Sequence, residues 1–373
     1  MQAYADIDYF DILNSIQLNL LKNKSMPAGL GLSSGRSGLF LLYAELQGML
    51  KDEGLLKVIE IHLNAALLEF GTDHSLMTYY RSDLSIGIPG FAYIFNCLRE
   101  RNLFSKSKSL SFVSNMNEII LDDCSSLINA GKLSYMHGIA GPLNYFLSLN
   151  GVDPIQLDYL IGLMRHKISS DSFEKYFNDG INGINYSAPF GITGFLLLML
   201  KLKNTYRNCS FLDAILKRGS IILYNKIAME VNPVSHLLPI QSWGWCKGLL
   251  MGTIYLLKYG LLIGCIEFQS LSITYAKKIA KGIINNRGFP DLSLGNGIAG
   301  MIKIYQEFSK LTDDKFIYET VSYLKWTYVN NLKAETWKFN KKNSSLFNGL
   351  AGMGLVFCSL NSTDSKWNNL LLL

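Results

Sequence analysis

Proline is scarce in this chain, and no stretch has the glycine- and serine-rich composition of a linker between domains. Only 8 of the 373 residues are proline and only 17% are charged, whereas 49% are hydrophobic. A chain of this length holds enough apolar residues to bury a large core, and without a linker it offers no clear point of division. The composition therefore predicts a single domain over residues 1–373, although the length alone would allow two.

The sequence also lacks the usual features of exported, membrane and nucleic-acid-binding proteins. The N-terminus, MQAYADIDYF, has neither the basic nor the apolar region of a signal peptide, so we expect a cytoplasmic protein. The most apolar stretch, residues 249–266, is interrupted by Lys258, so we expect no membrane span. A net charge of +6 without a dense basic run predicts no nucleic-acid partner. The 6 cysteines show no paired spacing, which predicts thiols rather than disulfides.

A short turn that begins and ends with glycine recurs along the chain. The first glycines of successive turns are 52, 51, 53, 57, 49 and 52 residues apart. The turns are Gly35–Gly38, Gly87–Gly90, Gly138–Gly141, Gly191–Gly194, Gly248–Gly252, Gly297–Gly300 and Gly349–Gly352. A fixed period of this length is typical of repeated supersecondary units.

A strongly apolar segment follows each turn, such as LFLLYAEL after the first and FLLLMLKL after the fourth. These segments are apolar on all sides, so they predict buried inner helices. The longer segments between them, such as FIYETVSYLKWTYV, alternate apolar and polar residues at helical spacing and predict outer helices with one wet face. Because seven such hairpins bury their apolar faces when the inner helices close into a ring, we expect an all-α fold, an α/α toroid.

The ring arrangement predicts one shared cavity at the glycine turns. Glycine allows the crowded helix starts to approach closely and permits backbone conformations that a Cβ would forbid. The inner helices would then point their unpaired N–H groups at this cavity, where they can bind anions or polarised carbonyls.

The glycine turns, the phrase Trp245-Cys246-Lys247-Gly248 and the closing SSLFNGLAGMGLVF resemble the lanthionine synthetase C-like family, which includes the cyclases of lanthipeptide maturation. The resemblance extends over about residues 30–360. It implies the toroid fold and a precursor peptide as partner, bound through its leader or its dehydrated core. It also implies a dehydratase or another modifying enzyme as a second partner.

For active cyclases of this family, the resemblance implies a zinc ion held by a cysteine of the fifth repeat and a Cys-His pair before the sixth turn. Zinc lowers the pKa of a peptide thiol, and the thiolate attacks dehydroalanine or dehydrobutyrine to close a thioether ring. The fifth-repeat ligand matches Cys246, but the pair falls on Gly295 and Asn296. Because one ligand does not hold zinc, we expect neither a metal nor another cofactor.

Other polar positions of the family have changed as well. The acid expected four residues before the third turn falls on Ser134, and the histidine expected directly before the fourth turn falls on Phe190. The arginine expected upstream of the fifth-repeat cysteine falls on Ser242. These differences predict that the zinc chemistry is lost, and they favour a pseudo-enzyme.

Two residues are candidates for catalysis. His137 directly precedes Gly138, an offset at which the family carries histidine in other repeats, and an imidazole there can act as a general base near neutral pH. The alternative is a structural histidine that is hydrogen-bonded at a helix start. Cys246 has three interpretations: a relic packed in the rim, a nucleophile, or a ligand recruited with His137 to a different metal site.

Four residues are candidates for binding a substrate. Asp83 stands at the offset of the family's acid, although aspartate is also a good helix N-cap. Lys247 either lowers the pKa of the neighbouring thiol or lies in solvent at the rim. Asn296 either orients a peptide carbonyl or caps a helix. Trp245, together with Trp243, either forms an aromatic wall for a peptide or is buried between repeats.

Three functions remain open at this point. The favoured one is a stand-alone family member that binds or scaffolds a dehydrated precursor peptide without zinc catalysis, because no matched residue clearly activates a thiol. The second is an active, zinc-independent cyclase that adds cysteine thiols to dehydrated residues. The third is an unrelated toroid enzyme such as a glycosidase, which needs two facing carboxylates, for which Asp83 and Asp291 are the rim candidates.

Overall fold

The computed structural model of the protein describes residues 9–22, 29–33, 35–72, 83–103, 106–148, 154–169, 172–178, 180, 183–231, 244–286, 291–333, 345–360 and 366–373. Within these ranges the regular structure is helical, apart from an isolated β-bridge between Asn178 and Ile184. The statements below concern these residues.

In chain order, the described α-helices are α1 (Tyr9–Lys22), α2 (Arg36–Leu50), α3 (Glu53–Thr72), α4 (Ile88–Glu100), α5 (Lys106–Asn129), α6 (Ala140–Leu147), α7 (Pro154–Lys167), α8 (Ile192–Thr205), α9 (Ser210–Val231), α10 (Leu250–Ile263), α11 (Ile266–Asn286), α12 (Ile298–Leu311), α13 (Lys315–Lys333) and α14 (Leu350–Cys358). Two 3-10 helices are η1 (Phe173–Phe177) and η2 (Lys366–Leu371).

The even-numbered helices form a closed inner ring. Each of them contacts the next, and α14 returns to contact α2. In α8 every residue from Ile192 to Leu200 is buried, as expected for a helix with neighbours on all sides. The odd-numbered helices lie outside this ring; in α13, for example, the buried residues recur at helical spacing along one face. The fold is therefore the α/α toroid that the glycine period predicts.

Most of the turn glycines are needed because neighbouring backbone or side-chain atoms leave no room for a Cβ, and not because of an unusual backbone conformation. A Cβ on Gly90 would lie 2.3 Å from the carbonyl oxygen of Leu84 and 2.9 Å from the Cβ of Leu32 in the preceding repeat. The first glycines are mostly extended, as Gly35 is with φ −96° and ψ −166°. Gly248 differs, because its φ of +83° lies in the left-handed region that favours glycine.

Main-chain hydrogen bonds tie neighbouring turns together around the ring. The residues two positions before each first glycine are Ser33, Ser85, Met136, Pro189, Cys246, Gly295 and Phe347. The N–H of Ser33 donates to the carbonyl of Ser85 at 2.8 Å, and the N–H of Met136 donates to Pro189 at 2.8 Å. Pro189 has no N–H to donate, so the fourth turn is not tied to the fifth in this way.

The residues three positions before each first glycine close the centre of the ring. Each of them is at most 1% exposed: Leu32, Leu84, Tyr135, Ala188, Trp245, Leu294 and Leu346. They form an apolar layer, called here the central layer, beneath the turns.

The C-terminal segment, residues 366–373, lies beneath this layer and is held by donors from it. The hydroxyl of Tyr135 donates to the carbonyl of Leu370 at 2.8 Å, and the indole N–H of Trp245 donates to Leu371 at 3.0 Å. Trp367 is 2% exposed. The C-terminal segment therefore fills the middle of the ring.

The sequence also predicts no membrane span, no disulfide and a single domain. In the described part of the chain, no helix combines the length and the apolar character needed to cross a bilayer. None of the six cysteines forms a disulfide. The single domain over residues 1–373 stays a prediction, because it includes residues outside the described ranges.

Candidate functional site

A cavity of about 710 Å³, called here the upper cavity, lies at the end of the ring where the inner helices begin. Every repeat contributes to its wall. Six residues at the equivalent turn positions line it: Ser33, Ser85, Met136, Pro189, Cys246 and Phe347. Neutral hydrogen-bonding side chains add to the wall: Asn185, Ser187, Asn296, Ser345 and Asn348. The predicted shared cavity is thus present, with amide and hydroxyl groups as its main polar lining.

The three positions at which the resemblance implies zinc ligands meet in the structure. The N–H of Cys246 donates to the carbonyl of Gly295 at 2.7 Å. A Cβ on Gly295 would lie 2.9 Å from the sulfur of Cys246, so the thiol occupies space that a ligand side chain at position 295 would need. The three positions supply one thiol and the amide of Asn296, and within the described ranges no three His, Cys, Asp or Glu side chains lie close enough to hold a metal ion. These donors do not fit a zinc ion.

The thiol of Cys246 is expected to be a weak nucleophile. Burial raises its pKa to about 12; the charge of Lys247 opposes this rise, and that of Asp291 adds to it. The thiol is therefore protonated near neutral pH, and a protonated thiol is a poor nucleophile. This favours the interpretation of Cys246 as a packed relic in the rim.

Trp245 lies in the central layer and forms the floor of the upper cavity. Its ring is 1% exposed and stacks on Phe347 with centroids 4.9 Å apart. Its N–H is already donated to Leu371. These contacts support the buried alternative rather than an aromatic wall for a peptide, because equivalent residues of the other repeats are buried too. Trp243 and Ser242 lie outside the described residues.

Asp83 and His137, which the sequence suggested separately, contact each other at the rim. An oxygen of Asp83 is hydrogen-bonded to Nδ1 of His137, and the other oxygen accepts the N–H of Ser85 at 2.7 Å. The His137 side chain is 50% exposed and stacks on Phe190 with centroids 4.8 Å apart. Asp83 therefore holds the turn and orients the imidazole at the same time. It does not cap the following helix, whose N-cap is Gly87 without a side-chain hydrogen bond, and its role in substrate binding stays a prediction.

The Asp83–His137 pair reproduces, one repeat earlier, the offsets at which the resemblance implies an acid and a histidine. The family's acid lies four residues before the third turn and its histidine directly before the fourth, where this chain has Ser134 and Phe190. Asp83 lies four residues before the second turn, and His137 lies directly before the third. Neighbouring turns have the same geometry, so the shifted residues still meet.

Asn296 and Lys247 lie on the wall of the upper cavity. The amide of Asn296 donates to Oδ1 of Asn348 at 3.3 Å, and its own Oδ1 is buried without a hydrogen-bond partner among the described residues. Lys247 is exposed and reaches the cavity from the rim. Asn296 therefore contributes an amide, and Lys247 a cation, to the wall of the cavity.

Two lining residues were missed by the sequence analysis because they belong to an outer helix. Lys226 and Glu230 of α9 line the upper cavity and pair with each other at 2.9 Å. Lys226 also lies over the ring of Tyr186, 5.8 Å from its centroid. Their contact with the cavity was not predictable from the sequence, because their spacing of four residues is that of a surface pair on a helix.

The glycosidase alternative finds no support in this site. Neither Asp83 nor Asp291 lines the upper cavity. Asp83 is paired with His137, and Asp291 accepts the N–H of Ser293 at 2.7 Å. Two carboxylates facing each other across a bound sugar are therefore not formed by these residues.

Comparisons with known proteins agree with this structure. The family model "Lanthionine synthetase C-like protein" matches residues 26–372. The solved structure of a nisin cyclase matches with a TM-score of 0.70 at 17% sequence identity, over 97% of this chain and 96% of that chain. A comparison with curated proteins finds no significant match. The structural match confirms the fold, and the family match extends over most of the chain. The protein therefore belongs to the lanthionine synthetase C-like family.

Proposed function

We propose that this protein takes part in the maturation of a ribosomal, lanthipeptide-type peptide in the cytoplasm. Its upper cavity binds the precursor peptide, as leader or dehydrated core, and it does so without zinc catalysis. The observation that supports this proposal is the combination of amide and hydroxyl side chains in the cavity wall with the lack of a set of zinc donors among the described residues. The wall suits a peptide backbone, whose N–H and C=O groups need partners when they leave water. The remaining thiol, that of Cys246, is partly buried, and burial raises its pKa.

Peptide binding is tested with a labelled, dehydrated lanthipeptide precursor, with and without its leader, by fluorescence anisotropy. Ser85→Trp places a large ring in the wall of the cavity and is expected to weaken binding by about tenfold or more. Ile61→Trp, on the outer helix α3 where Ile61 is 64% exposed, is the matched control. Equal affinity in both variants would show that the peptide does not use the upper cavity.

The absence of zinc is tested by elemental analysis of protein purified without chelator or nickel. We expect no stoichiometric metal in the wild type, in Cys246→Ala or in His137→Ala. Near-stoichiometric zinc that is lost in either variant would overturn the proposal, because it would reveal a rebuilt metal site that includes that residue.

A second function, zinc-independent cyclisation, is favoured by the Asp83–His137 pair. The imidazole would take the proton of a peptide thiol, the sulfur would add to the β-carbon of a dehydrated residue, and the resulting enolate would take a proton at the α-carbon. No oxidant or reductant is needed. The pair supplies the base, and its carboxylate orients the ring.

A ring-formation assay distinguishes the two functions. Because ring closure leaves the peptide mass unchanged, it is followed by the loss of alkylatable peptide thiols in mass spectra. Binding without catalysis predicts the same rate with and without protein. Catalysis predicts a faster rate that falls in both His137→Ala and Asp83→Asn.

The proposed function also implies a partner that prepares the peptide, a dehydratase or another modifying enzyme. The partner is tested by size-exclusion chromatography of the purified pair, with and without the precursor peptide. Co-elution only when peptide is present indicates that the peptide bridges the two proteins, and co-elution without it indicates a direct contact.

A further inference from the structure

A second cavity, called here the lower cavity, lies at the opposite end of the ring, where the inner helices end. Its volume of about 510 Å³ is within the range of ~300–1,000 Å³ that is typical of small-molecule sites. Its walls come from α8, α10, the end of α12 and the C-terminal segment. It shares no lining residue with the upper cavity.

One side of the lower cavity is apolar and partly open to water. Leu197 and Leu200 of α8, three residues apart on one helix face, and Leu261 and Leu262 near the end of α10 line it. The leucines of α8 are buried, whereas Leu261 and Leu262 are 44% and 51% exposed. Apolar surface that faces water favours binding of a ligand that covers it. The exposed leucines of α10 provide such a surface.

Lys201 lies on the same face of α8, one residue after Leu200. Its ammonium donates to Oδ1 of Asn144 at 2.9 Å. Burial, and to a smaller extent the charge of Lys258, lower its pKa to about 8. Lys258, by contrast, is paired with Glu307 at 2.7 Å. Within the described ranges no carboxylate side chain forms such a pair with Lys201.

Lys201 is partly buried, and an ammonium in such a place that has an amide but no paired carboxylate side chain among the described residues is costly. A bound anion relieves this cost. A neutral ligand would leave the charge uncompensated. A cationic ligand would be repelled by Lys201 and by the nearby Lys258. The lower cavity therefore combines an apolar wall with one charge that selects for an anion.

We propose that the lower cavity binds an anionic amphiphile of medium chain length, such as an alkyl carboxylate. The carboxylate pairs with the ammonium of Lys201, and the alkyl chain lies against the leucines of α8 and α10. This site is separate from the upper cavity, and the inference does not depend on the proposed function.

The head-group preference is tested by isothermal titration calorimetry of the full-length protein at pH 7. The probes are decanoate, decan-1-ol and decyltrimethylammonium, which share the alkyl chain and differ in charge. We expect decanoate to bind about tenfold or more tightly than decanol, as charge-assisted hydrogen bonds allow, and the cation to bind least. Decanol or the cation binding as tightly as decanoate, or no binding of decanoate, would overturn the proposal.

The location is tested with two pairs of variants. Lys201→Met is expected to weaken decanoate binding about tenfold and to leave decanol binding unchanged, whereas Lys203→Met serves as the control. Lys203 is on the same helix but pairs with Asp213 at 2.6 Å and does not line the cavity.

The second pair changes the mouth of the lower cavity. Leu262→Glu adds a repelling carboxylate to the wall, and Ile263→Glu adds it beside the wall at the same exposure of 51%. Only the change at Leu262 is expected to weaken decanoate binding. If Lys201→Met does not fold, as judged by circular dichroism, the exposed variants Leu262→Glu and Ile263→Glu, together with the head-group series, still test whether decanoate binds in the lower cavity. Unchanged decanoate affinity in the Leu262 variant would place the ligand elsewhere and overturn the proposal.

Discussion

The buried side of the upper cavity and the rim next to it differ in which side chains meet there. On the buried side, a main-chain hydrogen bond joins Cys246 and Gly295, but the described side chains there form no set of zinc donors. On the rim side, the family's acid and histidine positions are changed, yet an acid and a histidine meet one repeat earlier as Asp83 and His137. Because the glycine turn recurs in each repeat, equivalent positions recur around the ring. A pair of contacting side chains can therefore lie between any two neighbouring turns, whereas three metal ligands must converge at one set of positions.

The buried side is expected to bind metal when it is given the ligands that the family resemblance implies. In the double variant Gly295→Cys and Asn296→His, three ligands meet, and structural zinc sites of this kind bind with apparent free energies of ~10 kcal/mol or more. The new side chain at position 295 forces the sulfur of Cys246 to move, because a Cβ there would lie 2.9 Å from it. Zinc content and zinc affinity are measured by elemental analysis and competition with a chelator.

Each single variant is the control for this rebuilding, because two ligands hold zinc weakly. A double variant that folds but takes up no zinc would show that the backbone on the buried side, and not only its side chains, has departed from a zinc site.

Stability should depend far more on the buried side than on the rim. Trp245→Ala removes a 1% exposed ring from the central layer and is expected to lower the free energy of unfolding by ~3–5 kcal/mol. Phe190→Ala removes a 45% exposed ring at the rim and is expected to cost about 1 kcal/mol or less. Both are measured by denaturant unfolding followed by circular dichroism. Similar losses in the two variants would contradict this difference.

Thiol reactivity should report the buried environment of Cys246. With its pKa raised from 9.0 to about 12, its thiolate fraction at pH 8 is roughly a thousandfold below that of an ordinary thiol. Alkylation by iodoacetamide, followed by mass spectrometry of the peptide that carries Cys246, should be slower than that of a model thiol by a similar factor.

The same shift has a consequence for stability at high pH. Because the folded state raises the pKa of Cys246, the protonated thiol contributes stability below pH 9 that is lost as the pH rises towards 12. Cys246→Ala should therefore flatten the fall in stability over this window. Rapid alkylation at pH 8 together with an unchanged pH profile would show that the thiol is not buried as described.

The rim pair should contribute least to stability. Asp83→Ala removes the acceptor for the N–H of Ser85 and is expected to cost ~1 kcal/mol, whereas Asp83→Asn keeps an acceptor and should cost less. His137→Ala is expected to change the free energy of unfolding by about 0.5 kcal/mol or less, since its side chain is half exposed. A larger loss for His137 than for Asp83 would indicate a structural rather than a chemical role for the imidazole.

The fold was predictable because its signals are local and repeated. The glycine period sets the number of repeats, and the apolar segments mark the inner helices. The burial of Trp245 was also predictable: the equivalent positions of other repeats hold Leu32, Leu84 and Leu294, so an apolar residue at this offset indicates the central layer.

Other parts of the site depend on contacts that the sequence does not display. Asp83 and His137 lie in different repeats, and their hydrogen bond depends on how two turns are placed side by side. Lys226 and Glu230 belong to an outer helix, and their spacing of four residues is that of an ordinary surface pair. The C-terminal segment has no glycine turn, so the repeat gave no indication that it fills the ring.

Closure of the ring by α2 and α14 has a consequence for how the protein is made. These two inner helices contact each other, although one follows the first glycine turn and the other follows the last. During synthesis α2 leaves the ribosome long before α14 exists, so one of its apolar sides stays uncovered until most of the chain has been translated. Contacts between such distant segments form late and slow folding, and exposed apolar surface in the meantime favours aggregation. We therefore expect the yield of native protein in cells to depend on chaperones that shield the open ring.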